Sequence, residues 1–121
     1  MSEELLDFNA ERVDRQMADL LDSFESHPRM QPPNVNPTLF FLFDFVRNTH
    51  RQLKTIDADK LRAGDKAARQ QVTEVLARNR FANELINDKS GKLAMMTGDD
   101  PRNPVDIGPD IKAKAQALLQ V

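Results

Sequence analysis

Two histidines, a group of aspartates and a run of arginines and lysines are the side chains best suited to chemistry in this 121-residue chain. General acid–base catalysis needs a titratable group in a water-poor pocket with a positioned partner. His27 lies beside Pro28 at the end of an expected helix, and His50 lies on an expected helix among Arg47, Arg51 and Lys54. Neither has a carboxylate or a second histidine three or four residues further on, so neither carries the spacing of a helical metal site. Asp99, Asp100, Asp106 and Asp110 are oxygen ligands of the kind a hard cation takes. Aspartate beside proline and glycine is also ordinary turn chemistry, and that reading is preferred. The pair Asp57 and Asp59 has the first spacing of a calcium loop but lacks its turn glycine and later acidic position.

No phosphate-binding loop, dinucleotide glycine fingerprint or nucleophile elbow is present. The expectation is therefore a protein with no catalytic residues, no cofactor and no metal. The basic side chains suggest a different chemistry. Residues 1–46 carry three Lys/Arg and nine Asp/Glu, residues 47–92 carry eleven and six, and residues 93–121 carry three and four. A basic middle can face an anionic partner, and Arg47, Arg51, Lys54, Arg62, Lys66 and Arg69, with Arg78 and Arg80 beyond them, are the candidate phosphate contacts. The simpler reading sets an acidic helix beside a basic one within one domain. The chain is acidic overall, with a net charge of −2, and Phe81 is the one aromatic in the basic region available for base stacking. Nucleic-acid binding is accordingly the second reading.

The elements that must position these residues follow from periodicity. Leu6, Ala10, Val13, Met17, Leu20 and Phe24 form an apolar heptad seam, predicting a helix over about 2–26 with Ser2 or Asn9 as its cap. Phe8 lies almost opposite that seam: it is outside the helix if Asn9 is the cap, and an exposed anchor otherwise. Pro28, Pro32 and Pro33 make residues 27–36 an extended connection. Asn36 followed by Pro37 predicts a second helix over 37–56, with Leu39, Leu42, Val46, Thr49, Leu53 and Ile56 as its seam. Residues 57–65 read as a polar break. Ala68, Val72, Val75, Asn79, Ala82 and Ile86 predict a third helix over 65–89, with Asn79 either fixing register within the seam or lying at its wet edge. Leu93, Met95 and Met96 form a short apolar cluster before an Asp/Pro/Gly-rich loop, and a short helix is expected over 109–120.

One domain of all-α class follows, a small bundle of three long helices plus a short C-terminal helix, built on heptad-like seams. There is no cysteine, which fits a reducing compartment; the start is acidic, unlike a targeting peptide; and Leu39–Phe43, the longest apolar run, falls far short of the ~20 residues of a bilayer span. A cytoplasmic protein without a membrane partner is expected. The seams leave Phe8, Phe40, Phe43, Phe81 and Leu85 unassigned to a core, and contiguous apolar surface marks an interface. These five are the interface candidates. The expected function is protein–protein interaction, as an adaptor, chaperone, inhibitor or assembly component, with a second copy or another protein as partner.

Overall fold

Each long helix begins where a short polar side chain takes up its free N–H groups. The structure is a computed structural model and describes residues 8–120. Asn9 caps α1 (Ala10–Glu25), its side chain accepting from the Arg12 N–H at 3.0 Å. Asn36 caps α2 (Pro37–Lys54), accepting from the N–H groups of Thr38 and Leu39. Asp57 caps a short α3 (Ala58–Arg62), and Asp65 caps α4 (Lys66–Ile86). Two further helices follow, α5 (Lys92–Thr97) and α6 (Pro109–Ala117). The fold is all-α, with no strand among the described residues.

The helix expected over 2–26 starts later than the seam implied. Phe8 and Asn9 are not helical, Ala10 is the first helical residue, and Ser2 and Leu6 lie outside the described residues. Asn9 is favoured because its carboxamide reaches the backbone three residues on. The connection at 27–36 contains a 3-10 turn, Pro28–Met30, capped by the His27 ring. The polar break at 57–65 holds α3, and the Leu93–Met96 cluster is helical. Both short helices fall below the length at which apolar periodicity is readable. α5 is set off by glycines at both ends: Gly91 and Gly98 have φ of +82° and +87°. A Cβ on Gly91 would also meet the Pro101 carbonyl oxygen at 3.0 Å.

α2 lies at the centre, antiparallel to α1 and to α4. His50 meets Asp14 and Phe43 meets Phe24 on one side; Phe45 meets Phe81 and Thr49 meets Arg78 on the other. α6 packs against α1 and α4, with Ser23 bonded to Asp110 and Asn83 bonded to the Ala115 carbonyl. Of the α1 seam, Val13, Met17, Leu20 and Phe24 are buried; of the α2 seam, Leu39, Leu42, Val46, Thr49 and Leu53 are buried and Ile56 is half-buried. All six α4 seam residues are buried. Each large apolar side chain removed from water contributes about 1.5–3 kcal/mol, so the matched seams supply the main driving force.

Asn79 is only 2% exposed, so it lies inside the seam rather than at a wet edge, and its side-chain nitrogen has no hydrogen-bond partner. Burying an unpaired amide is costly. Asn79→Leu keeps the branched side-chain skeleton and removes that cost. We expect it to stabilise the fold by about 1–2 kcal/mol in urea unfolding, and a loss of stability would show that the amide is satisfied.

A polar network ties the start of α2 to the end of α5. Asn36, 2% exposed, donates to Asp99 Oδ2 at 2.8 Å, and the hydroxyls of Thr38 and Thr97 are 2.7 Å apart. The Asn36 amide, above all, holds the Asp99 carboxyl below its ordinary value of 3.8, against a smaller opposing effect of desolvation. A carboxylate with a lowered folded-state pKa adds stability above its unfolded pKa, and that stability disappears as pH falls through the folded value. Acid should therefore weaken the fold below about pH 4, with Asp99→Asn shallower over this range. Asp99→Ala leaves a buried donor unpaired and should cost about 1–3 kcal/mol at neutral pH. Denaturant melts of both variants between acid and neutral pH check these outcomes.

Candidate functional site

The first two turns of α2, from Pro37 to Phe43, are almost uniformly apolar, so no single packing face can absorb them. Leu39, Leu42 and Phe43 turn inward, whereas Phe40 and Phe41 turn outward and remain 50% and 41% exposed. The capping network sets α5 beside them. Pro37, Phe40, Phe41, Asp44, Leu93, Met96 and Thr97 line a cleft of about 360 Å³. Leu93 is buried, and Met96 is 79% exposed. Asp44 is the one charged residue in this lining, and it pairs with Arg47 one helical turn on.

The apolar surface continues along α2. Phe45, half-buried, lies one turn beyond Phe41, and its ring sits 5.7 Å from that of Phe81 on α4, which is 48% exposed. The Arg78 guanidinium lies 4.1 Å over the Phe45 ring and donates to Thr49 Oγ1 at 2.7 Å. A cation spread over an aromatic face in this way is a favourable electrostatic contact, and it fixes one edge of the stripe.

The five interface candidates therefore divide. Phe40 and Phe81 lie on this exposed face. Phe43 does not: it is 8% exposed, within the hydrophobic core, with its ring centroid 6.3 Å from that of Phe24. A heptad count places Phe43 beside the seam, but the cover supplied by α1 reaches far enough to bury it. Phe8 and Leu85 are half-buried and pack against the core. The residues missing from the candidate set are Phe41 and Met96. Phe41 lies on a flank of the α2 seam, and nothing in the sequence joins it to a methionine 55 positions later.

The basic candidates divide into paired and unpaired side chains. Arg47 and Arg62 form ion pairs with Asp44 and Asp59, each three residues away on the same helix. Arg78 is committed to Phe45 and Thr49. Arg51, Lys54, Lys66 and Arg69 make no ion pair among the described residues, and they lie around the α2–α4 end of the molecule, interspersed with Asp57, Asp59 and Asp65.

His50 has a carboxylate partner after all, on another helix: its Nε2 is 2.6 Å from Asp14 Oδ1. Spacing along one helix cannot show a partner on its neighbour. His27 Nδ1 accepts from the Arg29 N–H at 2.9 Å, which leaves its Nε2–H to donate to the Asp106 carbonyl at 2.8 Å. It lines a shallow groove of about 710 Å³ between the end of α1 and residues 105–111. In the same groove Lys114 Nζ donates to Ser23 Oγ at 2.7 Å, and that hydroxyl donates to Asp110 Oδ2 at 2.6 Å. A serine activated by lysine requires a neutral amine and a hydroxyl free to give it a proton. Here the lysine is paired with Asp110 and the hydroxyl proton points to the carboxylate, so the trio acts as a clasp between α1 and α6. The Ser23 hydroxyl, foremost, holds the Asp110 carboxyl below its ordinary range.

The four aspartates of the 99–110 loop do not converge. Asp99 faces Asn36, Asp100 accepts from the Arg102 N–H, Asp106 accepts from the Gly108 N–H, and Asp110 faces Ser23. Among the described residues no three His, Asp or Glu side chains gather as a metal site. No described helix is long and apolar enough to cross a membrane. The chain matches no protein-family model, no curated protein and no solved structure, so the exposed aromatic face on α2, α4 and α5 is the feature from which a function must be argued.

Proposed function

We propose that this protein is a non-catalytic protein–protein interaction module that works through the apolar face of α2 and α5. The observation that carries this reading is the contiguity of Phe40, Phe41 and Met96 around an open cleft, extended by Phe45 and Phe81. Isolated exposed apolar residues are normal on a protein surface, whereas a joined patch of aromatic and methionine side chains is characteristic of interfaces. Methionine adds an adaptable wall, since its unbranched, polarisable side chain fits irregular partner surfaces. An adaptor, chaperone, inhibitor or assembly component would each use such a face. The pairing of Arg47 and Arg62 with nearby carboxylates gives the nucleic-acid reading less support, because phosphate binding would have to displace those pairs.

Phe40→Asp places a charge at the mouth of the cleft, on a side chain already half in water. The variant should keep the helical signal of the wild type in circular dichroism. As bait in affinity capture from the native host, it should lose the protein partner that the wild type retains. Identical captured sets from the two baits would remove this face as the interaction site. Loss of helicity in the variant would instead assign Phe40 to the core. Binding to DNA or RNA should be absent even at low salt, and steeply salt-dependent binding would favour the second reading.

A further inference from the structure

We propose that the occupant of the α2–α5 cleft is a second copy of this chain, related by a two-fold axis that sets the two Met96 side chains beside each other. The inference rests on the reading of this face as an interaction surface and adds the identity of the partner.

The first argument is shape. A two-fold contact needs a surface complementary to itself, presenting both a protrusion and a recess. Met96, 79% exposed, is a flexible protrusion at the edge of a recess walled by Phe40 and Phe41 and backed by the buried Leu93. Rotation by half a turn presents the Met96 of each copy to the recess of the other. Because Met96 also lines its own recess, the two methionines become neighbours.

The second argument is charge. A partner selected by electrostatics would leave a rim of one sign on this chain. The cleft instead ends in Asp44 paired with Arg47, so both signs stand side by side. A second copy brings the same two signs and meets no net repulsion.

Area is the third. A stable dimer buries about 800 Å² on each partner. Phe40, Phe41, Phe81 and Met96 are 41–79% exposed. Large side chains carry about 150–250 Å² each, so these four present on the order of 400 Å². This amount suits the apolar centre of such an interface, with a polar rim supplying the remainder.

Met95 provides an internal control. It is 63% exposed but does not line the cleft, and it stands about 200° around α5 from Leu93. Light scattering after size exclusion across the micromolar range should give twice the 13.8 kDa chain mass for the wild type. Met96→Asp should give the single-chain mass with unchanged helicity, and Met95→Asp should remain dimeric. The chain contains no cysteine, so Met96→Cys should crosslink to its copy under mild oxidation and Met95→Cys should not. A wild-type monomer throughout this range overturns self-association, yet the interaction-module reading stands if Phe40→Asp still abolishes capture of another protein. A dimer that survives both Phe40→Asp and Met96→Asp overturns self-association through this face, and the interaction-module reading falls only if Phe40→Asp also captures the same proteins as the wild type.

Discussion

The two-sided use of the Asn36 carboxamide is the contact on which most of this structure depends. Its oxygen takes up the first free N–H groups of α2, and its nitrogen reaches the Asp99 carboxylate at the end of α5. One buried side chain thus starts the central helix and anchors a six-residue helix that could not persist alone. Asp99 also places negative charge near the N-terminus of α2, where the helix dipole favours it. The cleft is a product of this arrangement, because its two walls come from the two elements that Asn36 joins.

Phenylalanine is used in opposite ways along α2. Phe43 completes the core against Phe24, while Phe40 and Phe41, three and two residues earlier, remain about half in water. A helix has about 3.6 residues per turn, so a run of apolar residues longer than a turn must point in every direction. Burying all of them would take neighbours on every side, and α1, α4 and α5 leave one sector open. Burial there would be favourable at about 25 cal/mol per Å², which gives this sector a standing tendency to acquire a cover.

Polar side chains hold the remaining joints. The Ser23–Lys114–Asp110 trio fastens α6 to α1, Asn83 fastens α6 to α4, and His50 with Asp14 fastens α2 to α1. Two of these contacts use side chains of the kind that can do chemistry, His50 and Asp110. Their hydrogen bonds are directed to neighbouring helices. Asn79 differs, an amide inside the core that lacks a partner on its nitrogen.

The all-α class, the three long seams and the cap at Asn36 are legible in the local sequence. Each depends on residues within a few positions of one another, where helical geometry fixes which side chains share a face. Asn9 was one of two caps compatible with the pattern, and the structure selected it. What covers each remaining side chain depends on the packing of helices distant in the chain. Phe43 went inward because α1 brings Phe24 to it, Phe40 stayed half in water because no described helix covers its outer face, and Met96 joined Phe40 because a capping network folds α5 back onto α2. His50 found Asp14, and the loop aspartates separated, for the same reason. Periodicity records the direction in which a side chain leaves its own helix, whereas its surroundings depend on elements distant in the chain, whose approach the three-dimensional packing sets.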